Sequence, residues 1–529
     1  MENFAKVERK LCLKRYFGKT KWAWKRVWFR NFKIPNSINR HMLIVGESGS
    51  GKSNAAKCII KHLSDKGANF VLFDPHDEYV SLAGATNASL YDASYVGSNI
   101  FELGSMSLKE KSSELTELFR RIFKLGEVQS NVLYKLISYT YSLYAEKGKI
   151  PNISSIIYSA KVFKKHASKA ELRALNTIES RFSLANEVPT RSIDSNKLMH
   201  SKSIFALSSL HTSEAQSIYI EGFLRKIYTN MLESEKKSYN FYIVIDEIEK
   251  LGQSSILAKI ANEGRKYGIG IIAIAQHAKS VEKSVRGNAS LVLAFYQREP
   301  EELNYIANMI SGGNELERFS EIKKAIRNLK KGEAISLSIG EPQIIKFKLF
   351  SGREEPSYYI YQLARNAIKE ESLFEKLREK GFSNDEIYYS IQNLKNESLI
   401  SDYLLESTLY KGRYYMKSSK NGAEHEIMVN IISNHLSRNK VGNKIYNTSY
   451  APDIIARIKG QRIAIEYETG KKTIQESKEM LEKRSARFNK VIVIVNDLAS
   501  SRYENIGIEN VKVVKASAFL ESNPLSFAS

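Results

Sequence analysis

One segment of eight residues, Gly46–Ser53, constrains the fold of this chain more than any other part of its sequence. It reads Gly-Glu-Ser-Gly-Ser-Gly-Lys-Ser, follows the apolar run Met42–Val45, and precedes apolar residues at helical spacing. In that setting the pattern G-x-x-x-x-G-K-[ST] cradles the phosphates of a nucleotide, because glycines let backbone N–H groups turn towards the anion. The helix that begins here also directs the positive end of its dipole at the phosphates. This phosphate loop therefore predicts a nucleoside triphosphate site on an α/β sheet.

Each position of the phosphate loop has an expected role. Lys52 is expected to reach the β and γ phosphates, and the Ser53 hydroxyl to ligate Mg²⁺. The alternative, a Gly/Ser-rich turn without a ligand, leaves the lysine and the serine with no packing role. We therefore predict ATP and Mg²⁺ as cofactors. The residues predicted to bind the nucleotide are Gly46, Glu47, Ser48, Gly49, Ser50, Gly51, Lys52, Ser53 and Asn54.

Two acidic residues follow a second apolar run far downstream. The run Phe241–Ile245 is continuously apolar, as expected for a strand whose sheet is covered on both faces, and it ends in Asp246 and Glu247. In P-loop ATPases an aspartate at this place holds Mg²⁺ and an adjacent glutamate polarises the attacking water. We predict that Asp246 is a metal ligand and that Glu247 is the general base.

The run Phe70–Phe73 is a further predicted strand that ends in acidic residues. Asp74 and Glu78 follow it. Ligands of open α/β sheets bind beyond the carboxyl ends of the strands, so both residues are site candidates. Capping of the loop is the alternative role for their side chains.

Two later runs are expected to complete the sheet. Ile271–Ala275 precedes Gln276, which is predicted to sense the γ-phosphate or to orient the attacking water, with a strand-end cap as the alternative. Leu291–Phe295 leads to Arg298. Between the second and third of the predicted strands, residues 105–200 have apolar positions at helical spacing and are expected to form an all-α insertion.

The motifs together resemble the HerA/FtsK class of ring-forming, DNA-translocating ATPases. Besides the phosphate loop and Asp246-Glu247, the resemblance rests on Asp-Pro-His-x-Glu-Tyr at 74–79, Glu-Gly-Arg-Lys-Tyr-Gly at 263–268, and Gln276. Asp77 departs from the pattern, because HerA proteins usually have glycine there. The resemblance implies an ATPase domain over residues 41–352 with a RecA-like sheet.

The same resemblance implies an assembly. It predicts a homo-hexameric ring with ATP at the subunit interfaces and double-stranded DNA in the central pore. It also implies an arginine supplied by the neighbouring subunit. Arg265, Arg286 and Arg298 are the candidates, and Arg298 is favoured.

The segment 368–418 is similar to a winged helix, a fold that often reads DNA. Its predicted order is helix, turn, the helix Asn384–Asn396, and a basic hairpin with a tight turn at Tyr410–Tyr415. Lys411 and Arg413 in that hairpin are expected to meet phosphates. Docking of a protein is the alternative role. A linker is expected at about residues 352–370.

The segment 419–529 resembles the PD-(D/E)xK nuclease fold, in which carboxylates hold Mg²⁺ that activates water against a phosphodiester. Alternation along the strand Arg462–Glu468 puts Glu466 and Glu468 on one face with Ala464. Glu468 stands where the family has lysine, and Lys471 or Lys472 is the expected replacement. A DNA-binding or docking version without cleavage is the alternative. The candidate nuclease residues, with a possible second Mg²⁺, are Glu426, Asp453, Glu466, Glu468 and Lys471.

Length and charge set the wider expectations. With 529 residues the chain exceeds one hydrophobic core, so several domains are expected. Lys and Arg outnumber Asp and Glu by 80 to 58, and the net charge of +22 indicates a polyanionic partner such as nucleic acid. A lysine-rich surface that binds nothing is the alternative. Residues 1–40 form a predicted basic, aromatic strap that either contacts nucleic acid or lipid, or packs on the following domain.

The predicted fold class is α/β: a RecA-like P-loop ATPase core with an all-α insertion, a winged helix, and a restriction-endonuclease-like domain. The predicted function is an ATP-driven translocase or helicase-type motor on double-stranded DNA, with a nuclease-like processing domain, as in a mobile element. Accessory DNA-processing proteins are expected partners. The chain has two cysteines and no span-length apolar stretch, which predicts a cytoplasmic protein without an integral membrane segment. An ATP-gated nuclease effector in DNA processing or defence and an ATP-switched DNA-binding scaffold are the alternatives.

Overall fold

Continuous apolar runs form the central strands of the computed structural model, as their composition predicts. The runs before the phosphate loop and before Asp246 become the strands His41–Val45 and Phe241–Ile245, and every residue in both is buried. Strands covered on both faces need apolar side chains at nearly every position, which explains the lack of alternation. The chain divides into two units, residues 1–354 and 355–529.

The structure describes residues 25–527 with several gaps. Most of the predicted N-terminal strap and part of the predicted linker lie outside the described residues. In the described part of the chain, no helix combines the length and the apolar character that crossing a bilayer requires. The residues not described are 1–24, 33, 35–38, 95, 147, 191–192, 194, 234–238, 313–315, 339–341, 351–355, 397–398, 406–409, 419–421, 447–450, 459, 504–505 and 528–529.

Ten strands of the described residues form one mixed sheet in the first unit. Their bounds are β1 Arg26–Trp28, β2 His41–Val45, β3 Asn69–Asp74, β4 Ser89–Asp92, β5 Lys202–Ala206, β6 Phe241–Ile245, β7 Ile269–Ala275, β8 Ala289–Ala294, β9 Glu333–Leu337 and β10 Gln343–Lys346. The order across the sheet is β1-β10-β9-β8-β2-β7-β6-β3-β5-β4. All neighbours from β8 to β4 are parallel, and β9 is antiparallel to both β8 and β10.

The position of β7 decides where the site forms. It lies between β2, which leads into the phosphate loop, and β6, which leads into Asp246. Because the three strands are parallel, their carboxyl ends meet at one edge of the sheet. The phosphate loop, Gln276 after β7 and the acidic pair after β6 are therefore neighbours along that edge.

Helices cover the sheet and form the insertion. The helices of the first unit are α1 Lys52–Asp65, α2 Val80–Thr86, α3 Leu108–Phe123, α4 Glu127–Ala145, α5 Ile153–Phe163, α6 Lys169–Leu184, α7 Ser195–Met199, α8 Ser213–Glu233, α9 Ser255–Glu263, α10 Lys283–Gly287, α11 Pro300–Ser311 and α12 Leu316–Arg327. Helices α3 to α7 lie between β4 and β5, where the sequence predicts helical structure. Capping boxes at Ser107 with Glu110 and at Ser168 with Glu171 start α3 and α6.

The described end of the N-terminal strap packs against the first unit. Strand β1 pairs in parallel with β10. Phe29 stacks on Phe347 with ring centroids 4.9 Å apart, and the ammonium groups of Lys346 and Lys348 lie 5.8 Å from the Trp28 ring. The described residues of the strap therefore pack on the domain that follows, which is one of the two roles predicted for it. Trp22 and Trp24 lie outside the described residues.

The second unit begins with three helices and a small sheet. The helices are α13 Pro356–Leu363, α14 Glu370–Arg378 and α15 Asn384–Asn396, and the strands are β11 Ile368–Lys369, β12 Ile400–Leu405 and β13 Gly412–Lys417, in the order β11-β13-β12. The predicted helix Asn384–Asn396 is confirmed. The prediction of a tight turn at Tyr410–Tyr415 is wrong, because Gly412–Tyr415 belong to β13 and pair with β12.

A five-stranded sheet completes the second unit. Its elements are α16 Ala423–Arg438, β14 Gly442–Ile445, β15 Ile454–Ile458, β16 Gln461–Glu468, α17 Ile474–Ser485, β17 Lys490–Val495, β18 Val511–Lys515 and α18 Ala516–Glu521. The strands follow chain order; the first three are antiparallel, and β16, β17 and β18 are parallel. The predicted alternation of β16 is confirmed, since Ile463 and Ile465 pack in one apolar cluster and Ala464 in another.

Candidate nucleotide-binding and hydrolysis site

The backbone of the phosphate loop requires glycine at two of its positions. Gly46 has φ +150° and Gly51 has φ +110°. A Cβ at Gly46 would lie 2.6 Å from Cβ of Phe295, closer than any real contact. The glycine spacing in the sequence thus reflects both a left-handed backbone and a tight approach to Phe295, the residue that follows β8.

Lys52 lies folded over the phosphate loop. Its ammonium group is buried and donates hydrogen bonds to the carbonyl oxygens of Gly46, at 2.7 Å, and Glu47, at 2.8 Å. Burial lowers the pKa of Lys52, while the carboxylates of Asp246 and Glu249 oppose that shift. A buried cation with short contacts only to carbonyl oxygens is well suited to bind an anion that enters the loop.

Of the two predicted metal ligands, Ser53 and Asp246, the aspartate is held by a tyrosine. The Tyr79 hydroxyl donates to Oδ2 of Asp246 at 2.9 Å. Oδ1 of Asp246 accepts the backbone N–H of Glu247 at 2.8 Å. Burial raises the pKa of Asp246 to about 6, and hydrogen bonds from Tyr79 and the Glu247 backbone oppose the shift.

Glu247 is held between two side chains. Its backbone has φ +52°, an uncommon value for a residue other than glycine. The Oε1 atom lies 3.0 Å from Nε2 of His76, and Oε2 lies 2.6 Å from Nζ of Lys250. Burial would raise the pKa of Glu247, but these two partners lower it, so the carboxylate is ionised as a general base requires.

Asp74 shapes the loop that follows β3. It is almost fully buried and accepts backbone N–H groups from His76 at 3.3 Å, Glu78 at 3.0 Å and Tyr79 at 2.7 Å. Burial and the neighbouring Asp77 carboxylate raise the pKa of Asp74 to about 8. Asp74 therefore caps the loop, which is the alternative role predicted for it. Glu78 is exposed beside the site.

Asp77 shows why this position usually carries glycine. Its φ of +57° lies in the left-handed region that favours glycine. Here the aspartate side chain is buried and accepts hydrogen bonds from the Ser208 hydroxyl and, at 3.4 Å, from the Ser208 backbone N–H. These bonds stabilise a backbone conformation that glycine adopts without help.

Two side chains, those of Glu249 and Gln297, hydrogen-bond to the backbone of Gln276 at the end of β7. Its backbone N–H donates to Oε1 of Glu249 at 2.9 Å, and its carbonyl accepts from the Gln297 amide at 3.3 Å. The other oxygen of Glu249 is buried without a hydrogen-bond partner among the described residues. Sequence reasoning missed Glu249 and Tyr79; Tyr79 lay within the quoted motif at 74–79.

The donors and acceptors at this edge fit a triphosphate with Mg²⁺. A hydroxyl and a carboxylate, those of Ser53 and Asp246, are oxygen ligands of the kind that Mg²⁺ prefers, and Mg²⁺ commonly adds phosphate oxygens to one or two protein ligands. The buried ammonium of Lys52 supplies the positive charge for phosphate. In the parts of the chain that the structure describes, no group of three or more His, Cys, Asp or Glu side chains is arranged to hold a metal ion.

The three candidate arginines have different surroundings. The Arg298 side chain is 80% exposed, and its backbone N–H donates to Oε1 of Glu47 at 2.8 Å, beside the phosphate loop of its own chain. Arg286 donates to the Tyr305 hydroxyl and lies 5.3 Å from that ring. Arg265 is exposed. Arg298 and Arg265 are thus on the surface, whereas Arg286 is packed within its own subunit.

The second unit gathers a different set of acidic residues at the start of β15 and the end of β16. Oδ2 of Asp453 accepts the backbone N–H of Tyr467 at 2.8 Å and lies 3.2 Å from Nε2 of His425. The Asp453 backbone N–H donates to Oε2 of Glu466 at 3.4 Å. Asp453 and Glu466 therefore meet as the hairpin register predicts, and His425 is a neighbour that sequence reasoning missed.

Both glutamates of β16 are paired with cations. Oε1 of Glu466 accepts from Nε of Arg484 at 2.7 Å, and Oε1 of Glu468 accepts from Nζ of Lys472 at 2.9 Å. Burial and the Asp453 carboxylate raise the pKa of Glu466 to about 8, against the effect of Arg484. The structure thus brings Lys472, rather than the predicted Lys471, to Glu468.

The two remaining candidates, Lys471 and Glu426, are not members of these pairs. Lys471 is exposed, and Glu426 is buried within α16. Glu424 on the same helix accepts from the Tyr467 hydroxyl at 3.1 Å and from the Asn496 amide at 2.6 Å. The helix α16 therefore contributes Glu424 and His425 to this edge of the sheet.

Comparison with known proteins identifies the first of these regions. Residues 31–263 match the family described as "Helicase HerA, central domain". Proteins described as DNA double-strand break repair helicase HerA from Sulfurisphaera tokodaii and Sulfolobus acidocaldarius are each 24% identical to this chain, over 338 and 353 residues. Each match covers 60% of this chain and 66% of the relative, so the chain spans slightly less than two thirds of the length of these relatives.

Solved structures that align with this chain include a conjugative coupling protein and VirB4. The bacterial conjugative coupling protein TrwB has a TM-score of 0.49 at 15% identity, with 65% of this chain and 93% of that chain covered. VirB4 of Thermoanaerobacter pseudethanolicus has a TM-score of 0.46 at 15% identity, with 58% and 89% covered. The family match contains the phosphate loop, the loop at 74–79 and the acidic pair. Residues 31–263 are thus similar to the central domain of HerA helicases, and this similarity supports an ATPase.

Proposed function

We propose that this chain is an ATP-driven motor that acts on double-stranded DNA. The observation that carries the proposal is the meeting of Lys52, Ser53, Asp246 and Glu247 at one edge of the sheet, inside a region that matches the HerA central domain. Relatives of that region are described as helicases. A homo-hexameric ring and a cytoplasmic location are parts of the same proposal.

The residues of the site have distinct tasks in hydrolysis. The backbone N–H groups of the phosphate loop and the Lys52 ammonium hold the phosphates, and Ser53 and Asp246 hold Mg²⁺. The ion supplies neutralisation of the charge on the phosphate oxygens. Glu247 takes the proton of the attacking water. Gln276, held by Glu249, lies at the end of β7 between the loop and Glu247, where its side chain can orient that water.

The charge of the chain supports DNA as the partner. A net charge of +22 favours association with a polyanion, and contacts to phosphates release counterions. We expect DNA affinity to fall steeply as the salt concentration rises. Arg298 or Arg265, both exposed, is the proposed arginine for the site of a neighbouring subunit, with Arg298 favoured because it follows β8 beside the loop.

ATP turnover with and without linear duplex DNA tests this proposal. We expect DNA to stimulate turnover and Lys52→Ala to abolish it, because the phosphates lose their buried cation. Lys61→Ala is the matched control, since Lys61 lies on the same helix but pairs only with Asp65 at its surface. Equal turnover with and without DNA would contradict the motor and favour the ATP-switched scaffold.

We propose further that residues 368–418 form a winged helix. The element order of β11, α14, α15, β12 and β13 supports this assignment. The exposed face of α15 begins with Asp385 and Glu386 and carries two exposed tyrosines, 388 and 389. Arg413 and Lys395 both pair with Asp402 instead of facing solvent as free cations. This charge pattern favours docking of a protein over reading of DNA.

A nuclease-like fold is the corresponding proposal for residues 419–529. A helix, three antiparallel strands, a second helix and a parallel strand follow one another, and Asp453 contacts Glu466 at one edge, with Glu468 at the end of the same strand as Glu466. Lys472 is the proposed substitute for the missing lysine. The second candidate function, an ATP-gated nuclease effector, rests on this cluster. Parent chain incubated with duplex DNA, ATP and Mg²⁺ should then yield cut ends that Asp453→Asn abolishes, whereas intact DNA would leave the motor as the only activity.

A further inference from the structure

One loop reaches both acidic residues that follow β6. The loop is residues 74–79, directly after β3, and it contributes two side chains to the site. His76 lies 3.0 Å from Glu247, and the Tyr79 hydroxyl donates to Asp246 at 2.9 Å. The general base and the metal ligand are therefore each held by a different residue of the same loop.

Hydrogen bonds and burial hold residues 74–79 in place. Asp74 accepts three of its backbone N–H groups, as described above, and Tyr79 has no exposed surface. Strand β3 pairs in parallel with β6, with Phe73 opposite Ile245, so the loop starts one residue from the acids it contacts. The backbone N–H of Asp246 also donates to the carbonyl of Phe73 at 3.3 Å. The loop and the acidic pair thus form one continuous unit.

The Tyr79–Asp246 and His76–Glu247 contacts have different roles. The Tyr79 hydroxyl donates to Oδ2 of Asp246, so it sets the orientation of the carboxylate that would ligate Mg²⁺. His76 acts with Lys250 on the two oxygens of Glu247, whose left-handed backbone gives its side chain an unusual starting direction. Lys250 also donates to Oε1 of Gln216 at 3.1 Å, which holds the Lys250 ammonium group against α8.

We propose that the loop after β3 is a positioning device for hydrolysis, in which Tyr79 orients the metal ligand Asp246 and His76 orients the general base Glu247. The inference rests on the proposed ATPase function and assigns its two steps, metal binding and activation of water, to separate residues of one loop. Neither side chain is proposed to touch the phosphates. Both act through the acids that they contact.

Tyr79→Phe removes the hydroxyl and keeps the buried ring. We expect the Mg²⁺ concentration needed for tight binding of a fluorescent ADP analogue to rise about 10-fold, the usual effect of losing a group that orients a metal ligand. Affinity measured in EDTA should be unchanged. Tyr219→Phe is the matched control, because Tyr219 is also fully buried and donates from its hydroxyl to the Val96 carbonyl, away from the site.

His76→Ala is the companion variant. We expect kcat for ATP to fall about 10- to 100-fold with KM and Mg²⁺-dependent nucleotide binding unchanged, because misplacement of a catalytic group affects the chemical step. His76→Gln should restore part of kcat, since its amide can donate to Glu247. His211→Ala is the control: His211 is an exposed histidine that lies 3.0 Å from Glu187.

The outcomes separate this inference from the proposed function. Unchanged Mg²⁺ dependence in Tyr79→Phe, or unchanged kcat in His76→Ala, would overturn the assignment of that residue while the parent remained an ATPase. A fall in EDTA affinity equal to the fall with Mg²⁺ would also overturn the role of Tyr79, because a general loss of the fold would explain it. A parent chain that neither binds nor hydrolyses ATP would overturn both the proposed function and this inference.

Discussion

The two acidic clusters of this chain use similar residues and differ in what balances their charge. In the first unit, the side chain of Asp246 contacts a neutral tyrosine hydroxyl and a backbone N–H, and Lys52 lies folded over the loop. In the second unit, Glu466 and Glu468 are each paired with a cation of their own. Asp246 therefore keeps its negative charge for an incoming metal, whereas Glu466 and Glu468 already have cation partners within the protein.

The difference teaches how the same residue types serve binding in one place and stability in another. A carboxylate whose partners are neutral gains most from a cation brought by a ligand. A carboxylate that is buried against arginine loses a strong contact when a metal replaces that partner. For the second cluster to bind Mg²⁺, Glu468 is the residue that can rearrange, because its partner Lys472 is half exposed.

The largest expected effect separates the clusters by their chemistry. Glu247→Gln should lower kcat for ATP at least about 100-fold, because the general base is lost. Asp453→Asn should leave ATP turnover within about twofold of the parent, a difference of less than ~0.5 kcal/mol in barrier height. Steady-state turnover with saturating DNA measures both. A large loss of turnover in Asp453→Asn would show that the second cluster takes part in hydrolysis. That result would contradict separate roles for the two clusters.

The next effect concerns stability. Arg484→Ala leaves Glu466 buried without its partner, and we expect this to destabilise the second unit by about 3–5 kcal/mol. Lys472→Ala should cost no more than about 1 kcal/mol, because the Lys472 side chain is half exposed. Hydrogen exchange of β16 and α17 in the full chain is the suitable measurement, since all three tryptophans precede residue 29. Equal protection in the two variants would contradict the view of Glu466 as a structurally paired acid.

The smallest effect is a difference in pH response between two buried histidines. In the first unit, Nδ1 of His41 accepts from the Ile271 N–H at 3.0 Å and Nε2 contacts the Ala261 carbonyl at 2.9 Å, which requires the neutral ring. Burial lowers the pKa of His41, so its contribution to stability is present above the ordinary pKa of about 6.5 and is lost as the pH falls through the lowered value.

His425 should respond in the opposite direction. Burial would lower its pKa, but the Asp453 carboxylate outweighs burial and raises it. Its contribution to stability is therefore full below the ordinary value of about 6.5 and is lost as the pH rises through the raised value. Urea unfolding followed by tryptophan fluorescence reports on the first unit and should show stability falling on acidification. His41→Gln should flatten that dependence; an unchanged slope would contradict the assignment.

Much of the first unit could be predicted from the sequence, because its motifs are local. The strands β2, β6 and β7 are continuous apolar runs, and the phosphate loop identifies its own context. Strand β1 could not be predicted, because its partner β10 lies more than 300 residues away and three residues carry no pattern of their own. The helix Asn384–Asn396 was predictable because Ser383 and Glu386 form a capping box at its start.

Other features required the three-dimensional arrangement. The segment Gly412–Tyr415 has turn-like composition, but pairing with Ile400–Leu405 makes it a strand, and tertiary pairing of this kind overrides local preference. The contacts of Tyr79 and His76 with the acids after β6 join residues about 170 positions apart, so spacing alone gave no sign of them. The choice of Lys472 over Lys471 depends on the direction of the chain after Gly470, whose φ is +81°.

Displacement of a third strand from a DNA triplex tests the central claim most directly, because only movement along the duplex removes that strand. The parent chain with ATP and Mg²⁺ should displace it, and Glu247→Gln, with its binding residues intact, should bind the same DNA without displacing it. A parent that hydrolyses ATP in the presence of duplex but leaves the third strand in place would contradict the motor.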